Sequence, residues 1–268
     1  MELPKEIPVL DKGFVRLVDV MGDDRAIVQA ARVSYGEGTK TVREDAALID
    51  YLMRHRHTSP FEMVEFKFHV KAPIFVVRQW FRHRTASVNE VSGRYSVLKE
   101  EFYEPEAWRY QAKDNKQGSE GAFPDEEAQG LLRGVEEEAY RAYQALLQKG
   151  IARELARVVL PLNLYTEFYW KQDLHNLFHF LALRLDRHAQ WEIRQYAQAI
   201  AQMVQQWVPL AWRAFAEHVL HGATLSQTEL KALRGLLTPE LYEKALRALG
   251  LSGSRVREAL EKVFGPEG

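Results

Sequence analysis

A dense group of side chains able to bind an anion lies between Gln79 and Arg94. The segment holds three arginines, one histidine, two amide side chains, two serines and Glu90. Guanidinium groups bind phosphate in two-point geometry, and serine hydroxyls with loop N–H groups complete a phosphate cradle. A carboxylate such as Glu90 suits a ribose hydroxyl or a base N–H instead. The combination therefore predicts a nucleotide site rather than a site for a bare anion.

The alternative interpretation is a solvated, charged helix end followed by a loop. Residue by residue this alternative is favoured, because charged side chains are mostly exposed. Trp80 and Phe81 add flat apolar surface beside the charged group. Taken together, the residues favour the nucleotide site.

The histidines near this group do not predict a metal site. No carboxylate or cysteine spacing around His55, His57, His69 or His83 completes a known ligand set, so we expect no metal. His188 has two open interpretations, either a satisfied core residue or a contact behind a bound ligand.

The order of residues in this segment resembles the signature of the flavin-dependent thymidylate synthases. Arg82-His83-Arg84 is followed after seven residues by Ser92-Gly93-Arg94-Tyr95-Ser96, with Asn89-Glu90 inside. The resemblance continues at His57–Glu62, Arg153–Tyr165 and Leu183–Tyr196. It covers roughly Leu10–Trp207, and the tail after Gly222 matches no pattern that we associate with this family.

The resemblance implies a specific reaction, the conversion of dUMP to dTMP. Methylenetetrahydrofolate supplies the carbon, FAD carries the hydride, and NADPH reduces the flavin. The family also implies a homotetramer whose active sites are shared between subunits. The chain has no cysteine, so the route that attacks uracil C6 with an enzyme thiol is not open to it. No Gly-x-Gly-x-x-Gly is present, so a Rossmann turn does not bind the FAD.

The family pattern also assigns residues to ligands. The residues that should touch FAD are Ser59, Arg82, His83, Arg84, Glu90, Asp173, His175 and His179. The last three depart from the family, which more often has Asn or Arg there. The residues that should hold the nucleotide are Gln79, Arg82, Glu90, Ser92, Gly93, Arg94, Arg157 and Arg184.

Arg184 is the predicted catalytic residue. Beside the uracil N3 and O2, its guanidinium would stabilise negative charge on the ring. Without the resemblance, a surface arginine paired with Asp186 or Glu192 would be the better interpretation. Ser92 is predicted to contact the nucleotide rather than to act as a nucleophile, because only Glu90 and His83 are near it as bases.

Two other function classes stay open. One is a flavin-dependent NADPH oxidase or reductase that transfers no carbon, and the other is a non-enzymatic nucleotide sensor. The net charge of −1 gives no reason to expect a nucleic-acid or membrane-surface role. No apolar run approaches the ~20 residues of a membrane span, and no secretory segment is evident, so we expect a cytoplasmic protein.

An α+β fold must position these residues: a central, mainly antiparallel sheet with packed helices in residues 1–221, and a helical extension in 222–268. The clearest strand is Val64–Lys71, whose alternation predicts one apolar face and one wet face. Pro73 starts a helix over Ile74–Arg82, and Arg84–Gly93 is predicted to be loop. Gln111–Pro124 is predicted to be either a mobile lid or disordered.

Periodicity and caps predict the remaining elements. The further strands are Phe14–Val20 and Leu164–Trp170, and the helices are Asp23–Val33, Glu44–Arg54, Asp125–Lys149, Ala152–Val158, Asp173–Leu185, His188–Phe215, Glu229–Leu237, Pro239–Leu249 and Ser254–Phe264.

Overall fold

The structure, a computed structural model, describes residues 6–33, 42–113 and 118–265. The chain forms two compact units, Met1–Leu220 and His221–Gly268. The larger unit packs helices on an antiparallel sheet, so the predicted α+β class is confirmed. The roles assigned to residues 1–221 and 222–268 stay predictions.

A five-stranded sheet of order β1-β2-β3-β7-β4 organises the larger unit, and every neighbouring pair is antiparallel. A separate two-stranded hairpin is formed by β5 and β6. The strands are β1 (Ile7–Val9), β2 (Gly13–Met21), β3 (Glu65–Pro73), β4 (Ser87–Glu90), β5 (Trp108–Gln111), β6 (Ser119–Phe123) and β7 (Tyr165–Asp173).

Strand β3 shows how the sheet forms its core. Phe66, Phe68 and Val70 alternate along the strand and are fully buried, as the sequence predicts. The opposite face is not simply wet. There Lys71 is buried and pairs with Glu101 at 2.9 Å, so the predicted wet face is confirmed at the partly exposed Glu65 and Lys67 but wrong at Lys71.

Helices pack on this sheet, and Asp23, Asp125 and Asp173 each cap the helix that follows. Asp125, for example, accepts hydrogen bonds from the backbone N–H groups of Glu127 and Ala128 at the start of α4. The helices of the larger unit are α1 (Asp24–Arg32), α2 (Val42–Arg54), α3 (Ile74–Trp80), α4 (Glu126–Gln148), α5 (Arg153–Ala156), α6 (Leu174–Arg184), α7 (Trp191–Trp207) and α8 (Pro209–Phe215). Short 3-10 helices span Ser59–Met63 and Arg157–Val159.

The helix predicted over His188–Phe215 is two helices. The break lies at Val208, directly before Pro209, which starts α8. Proline lacks the N–H that would continue the hydrogen-bond ladder of α7. His188 lies before α7, exposed, with its ring bonded to Asp186 at 2.9 Å, so it is not a core residue.

Helix α3 ends two residues earlier than predicted. After Trp80 the chain turns, with Arg82 N–H donating to the Gln79 carbonyl at 3.2 Å and His83 N–H to the Trp80 carbonyl at 3.0 Å. Arg82, which the prediction placed inside this helix, therefore lies with His83 in the turn that follows it. Trp80 is fully buried against Phe180 and other aromatic rings, so it offers no surface to a ligand.

Two segments expected to lack regular structure contain strands. Ser87–Glu90, inside the predicted loop Arg84–Gly93, is the edge strand β4 beside β7. All four of its residues are exposed, so no alternation of burial marks it in the sequence. Within Gln111–Pro124, Ser119–Phe123 is strand β6, while residues 114–117 lie outside the described part of the chain.

The smaller unit contains three helices among its described residues, α9 (Gln227–Leu236), α10 (Pro239–Ala248) and α11 (Ser254–Phe264). A reciprocal capping box between Ser226 and Glu229 starts α9. The Tyr242 and Phe264 rings, 6.0 Å apart, join α10 to α11. The three short helices predicted here are thus present.

Candidate functional site

The turn after α3 meets the C-terminal end of α6 in what we call the helix-end cluster: Arg82, His83, Arg84, His179 and Arg184. Arg184, the last residue of α6, donates from Nε to His83 Nε2 at 3.1 Å. The rings of His83 and His179 are 5.8 Å apart. The fold therefore joins residues that lie about a hundred positions apart in the sequence.

The His83 ring in this cluster is neutral at physiological pH. Burial, with smaller contributions from the neighbouring Arg184 and His179 charges, lowers the pKa of His83 to about 4. Because its Nε2 accepts from Arg184, the proton of the neutral ring lies on Nδ1. His83 thus orients the Arg184 guanidinium without neutralising its charge.

The arginines of this cluster have no acidic partners among the described residues. Elsewhere guanidinium groups do find carboxylates, as in the Arg133–Glu104 pair at 2.7 Å. The surface pairing considered for Arg184 was wrong, since Asp186 bonds His188 and Glu192 pairs with Arg109. Burial also lowers the pKa of Arg184. A partly buried cation without a counter-charge is costly, and an anionic ligand would remove that cost.

Asp173 and its neighbours tie the motif segment to α6. Both Asp173 carboxylate oxygens accept from Asn176, from its backbone N–H at 2.9 Å and its side chain at 2.7 Å, and so cap α6. Asn176 Oδ1 in turn accepts from Thr85 Oγ1 at 2.8 Å. The sequence did not single out Thr85 or Asn176. A flavin contact by Asp173 stays a prediction.

Ser59 and His175 flank the same region. The 3-10 helix Ser59–Met63 packs against α6, with Ser59 exposed at its start. His175 lies in the first turn of α6 and is half-buried. Their predicted flavin contacts also stay predictions.

A second group, the loop cluster, consists of Ser92, Gly93, Arg94 and Arg157. Gly93 is buried, and a Cβ there would lie 3.0 Å from Leu98 Cδ1 and 3.2 Å from Arg157 Cδ. Glycine thus allows the loop to approach the Arg157 side chain. The Arg94 backbone N–H donates to Ser92 Oγ at 3.3 Å. Among the described residues, no side chain that could act as a general base hydrogen-bonds this hydroxyl.

Two residues of α5 contact the loop cluster and the residue that follows it. Arg94 Nε lies 3.4 Å from Glu154 Oε2, with both side chains more than half exposed. Arg153 donates to the Tyr95 carbonyl at 2.9 Å. Arg157 is exposed and has no acid partner among the described residues. The cluster is therefore an open surface, on which Arg157 has no acid partner among the described residues and Arg94 is held only by an exposed ion pair.

Glu90 lies between these groups in the sequence, on the edge strand β4. Its Oε1 accepts from Thr166 Oγ1 of β7 at 2.7 Å. A cavity of about 460 Å³ borders it, lined also by Lys71, Glu101 and Tyr165. The second Glu90 oxygen has no partner among the described side chains, so it can accept from a ligand hydroxyl or N–H.

The Gln79 side chain is directed at the start of α7. Its Nε2 donates to Gln190 Oε1, and Gln190 Nε2 donates to Glu192 Oε2 at 2.9 Å. Glu192 is buried and also binds Arg109 and Tyr103. Sequence reasoning did not select Gln190 or Glu192, although both lie in the Leu183–Tyr196 segment.

The described residues contain no group of three His, Cys, Asp or Glu residues placed to hold a metal ion. None of their helices has the length and apolarity needed to cross a membrane.

Comparisons with known proteins agree on one family. The family model described as thymidylate synthase complementing protein matches residues 16–210. A flavin-dependent thymidylate synthase from Thermus thermophilus is 82% identical over 99% of this chain and 98% of its own. One from Treponema denticola is 55% identical over 97% of this chain and 98% of its own. The Thermus match includes the tail after Gly222, which therefore does have a counterpart.

A solved structure resembles the chain as well. A UMP/dUMP methylase from Streptomyces cacaoi, crystallised with 5-Br dUMP, is 36% identical with a TM-score of 0.72. The match covers 81% of this chain and 100% of that one.

Proposed function

The chain belongs to the family of flavin-dependent thymidylate synthases, and from this we propose that it converts dUMP to dTMP. Methylenetetrahydrofolate is the proposed carbon donor, and NADPH-reduced FAD the hydride donor. The observation that carries the proposal is the helix-end cluster, in which Arg184, Arg82 and Arg84 have no acidic partner among the described residues. The related methylase solved with 5-Br dUMP supports a pyrimidine monophosphate as substrate.

The residues of the helix-end cluster suit FAD. The guanidinium groups of Arg82 and Arg84 are exposed, have no acidic partner among the described residues and match a diphosphate. His175 and His179 add donors along α6, and Ser59 adds a hydroxyl at the adjoining 3-10 helix. When bound, FAD supplies the hydride that completes the methyl group. We propose these residues, with Glu90 and Asp173, as the flavin contacts.

Arg184 is the proposed catalytic residue. His83 engages its Nε, and the two terminal nitrogens of the guanidinium are left for the substrate. Placed at the uracil N3 and O2, they would stabilise the ionised ring and lower the pKa of N3. Because His83 is neutral, Arg184 keeps its full charge for this purpose.

The remaining nucleotide contacts are proposed from the loop cluster. Arg157 and Arg94 provide cations for the phosphate, Ser92 a hydroxyl, and Gly93 the close approach of the backbone. Glu90 suits the ribose, since its free oxygen is an acceptor. Gln79 and Arg82 complete the proposed set.

We also propose a homotetramer with shared sites. Apolar side chains beside Arg157 are strongly exposed, Val158 by 81% and Leu162 by 62%. Exposed apolar groups of this kind mark surfaces that another chain covers. A neighbouring subunit would thereby bring its helix-end cluster to this loop cluster.

The test is a turnover assay on the purified, FAD-loaded chain with dUMP, methylenetetrahydrofolate and NADPH. We expect dTMP by chromatography and mass spectrometry, and none when any one of the three is omitted. Flavin-loaded protein that makes no dTMP would refute the proposal. NADPH oxidation stimulated by dUMP, again without dTMP, would favour an oxidase instead.

A further inference from the structure

Three side chains form a chain of hydrogen bonds that ends at a predicted nucleotide contact. We call Gln79, Gln190 and Glu192 the amide relay. Gln79 Nε2 donates to Gln190 Oε1, and Gln190 Nε2 donates to Glu192 Oε2 at 2.9 Å. Gln190 and Glu192 are not among the residues that the family pattern assigns to FAD or to the nucleotide.

The direction of these bonds is dictated by the carboxylate. A carboxylate can only accept hydrogen bonds, so Gln190 must turn its NH2 group towards Glu192. Gln190 then has only its carbonyl oxygen to offer Gln79. Gln79 must meet that oxygen with its own NH2 group, which leaves the Gln79 carbonyl without a partner among the described residues.

The acidic end of the relay is fixed in place. Glu192 is only 2% exposed, and its Oε1 accepts from Arg109 and from the Tyr103 hydroxyl, the latter at 3.2 Å. Burial, followed by the nearby Glu192 charge, raises the pKa of Tyr103, so this phenol stays protonated and donates. The Arg109 guanidinium also lies 5.0 Å from the centre of the Trp191 ring.

We propose that Glu192 and Gln190 are positioning residues that lock the Gln79 side chain with its carbonyl oxygen directed at the nucleotide. Gln79 then selects a hydrogen-bond donor, a ring N–H or a ribose hydroxyl, and disfavours an acceptor at the same place. This inference rests on the proposed function, because that function makes Gln79 a substrate contact.

The most direct test is Glu192→Gln, measured as the Kd for dUMP by calorimetry on FAD-loaded protein. The new amide can donate to Gln190. The side-chain amides of Gln190 and Gln79 can then both flip, so that Gln79 presents an NH2 group to the nucleotide instead of a carbonyl. A misdirected hydrogen-bonding group costs about tenfold in affinity. We expect that weakening, with unchanged flavin content.

Glu136→Gln is the matched control for loss of a buried acid. Glu136 lies on α4, is 6% exposed and bonds Asn163, outside the relay. It should leave the Kd for dUMP at the wild-type value, so a loss of affinity in both variants would overturn the proposal. Unchanged affinity in the folded Glu192→Gln protein would overturn it as well.

A second variant, Gln190→Leu, removes the relay while keeping the buried Glu192–Arg109 pair. It frees Gln79 to rotate, so we again expect weaker dUMP binding, by a factor between three and ten on the same reasoning. Adding Glu192→Gln to this variant should cause little further loss, because the link is already broken. Wild-type affinity in Gln190→Leu, or fully additive losses in the double variant, would refute the relay.

These measurements separate the inference from the proposed function. Binding of dUMP can be measured whether or not dTMP forms. Turnover by the wild type, with Kd values insensitive to both relay changes, would refute the relay alone. Wild-type protein that binds dUMP but makes no dTMP would instead refute the proposed function.

Discussion

The helix-end cluster and the loop cluster both contain arginines, but these arginines differ in burial and in how firmly the fold holds them. In the helix-end cluster, Arg184 is half-buried and its orientation is set by the neutral His83 at 3.1 Å. In the loop cluster, Arg157 is exposed, and Arg94 Nε lies 3.4 Å from Oε2 of the exposed Glu154. One region is preorganised within the chain, and the other is an open surface.

The difference indicates distinct tasks. A desolvated, fixed cation stabilises charge that develops in a reaction more strongly than a solvated one does. An exposed cation beside a glycine-containing loop is suited to binding a phosphate, with little effect on the chemical step. We therefore propose that turnover depends mainly on the helix-end cluster and dUMP affinity mainly on the loop cluster.

The largest expected effect is that of Arg184→Ala. Removing the charge at the uracil ring should reduce kcat by about 100-fold to 1,000-fold, while FAD stays bound. The rate of dTMP formation at saturating substrates measures kcat, and flavin absorbance measures the bound FAD. Arg184→Lys is the matched control: it keeps the charge but loses the planar fork, so it should fall between the alanine variant and the wild type. Near-normal kcat in Arg184→Ala would remove the assigned role.

A smaller effect, and of another kind, is expected for Arg157→Ala. Loss of one phosphate contact should raise the Kd for dUMP by about ten-fold to 100-fold, with kcat at saturating dUMP within a few-fold of wild type. Calorimetry and steady-state kinetics check this. Arg141→Ala, at an exposed arginine paired with Glu138, should behave as wild type. A fall in kcat equal to that of Arg184→Ala would erase the distinction between the clusters.

The smallest expected effect is on stability. The pKa of His83 is lowered from 6.5 in the unfolded chain to about 4, so the unfolded state binds more protons between these values. The stability that comes from keeping His83 neutral is full above pH 6.5 and is lost as the pH falls towards 4. Allowing for partial exposure, the loss is about 1 kcal/mol.

The pH dependence can be isolated with His83→Gln. The free energy of unfolding of the wild type minus that of the variant should decrease as the pH is lowered from 6.5 to 4. Chemical denaturation at several pH values measures both free energies. A difference that is constant across this range would show that His83 is not held neutral.

Sequence reasoning succeeded where a pattern has one physical meaning. The alternation Phe66, Phe68, Val70 fixed the apolar face of β3, and capping residues such as Asp125 marked helix starts. The order of arginine, histidine, serine and glycine in Gln79–Arg94 predicted the family, which the family model and the relatives confirm, while ligand binding by this segment stays a prediction. These features depend only on neighbours in the chain.

It failed where a contact between distant segments decides the outcome. The edge strand β4 has four exposed residues, so only its pairing with β7 reveals it. The end of α3 at Trp80 is marked only by the turn in which Arg82 and His83 bond back to Gln79 and Trp80. The amide relay joins Gln79 to residues more than a hundred positions away, and neither amide is distinctive in sequence.

The central claim, that the two clusters complete one site on neighbouring subunits, is tested most directly by mixing two variants that are each impaired at low dUMP. Arg184→Ala and Arg157→Ala chains are co-refolded in equal amounts, and dTMP formation is measured at low dUMP, where each alone is impaired. If the clusters of one site come from different chains, random assembly restores both wild-type clusters in about a quarter of the sites. Activity near a quarter of wild type is the predicted result. Activity no higher than the mean of the two parents would contradict the claim, because every site would then carry one defect.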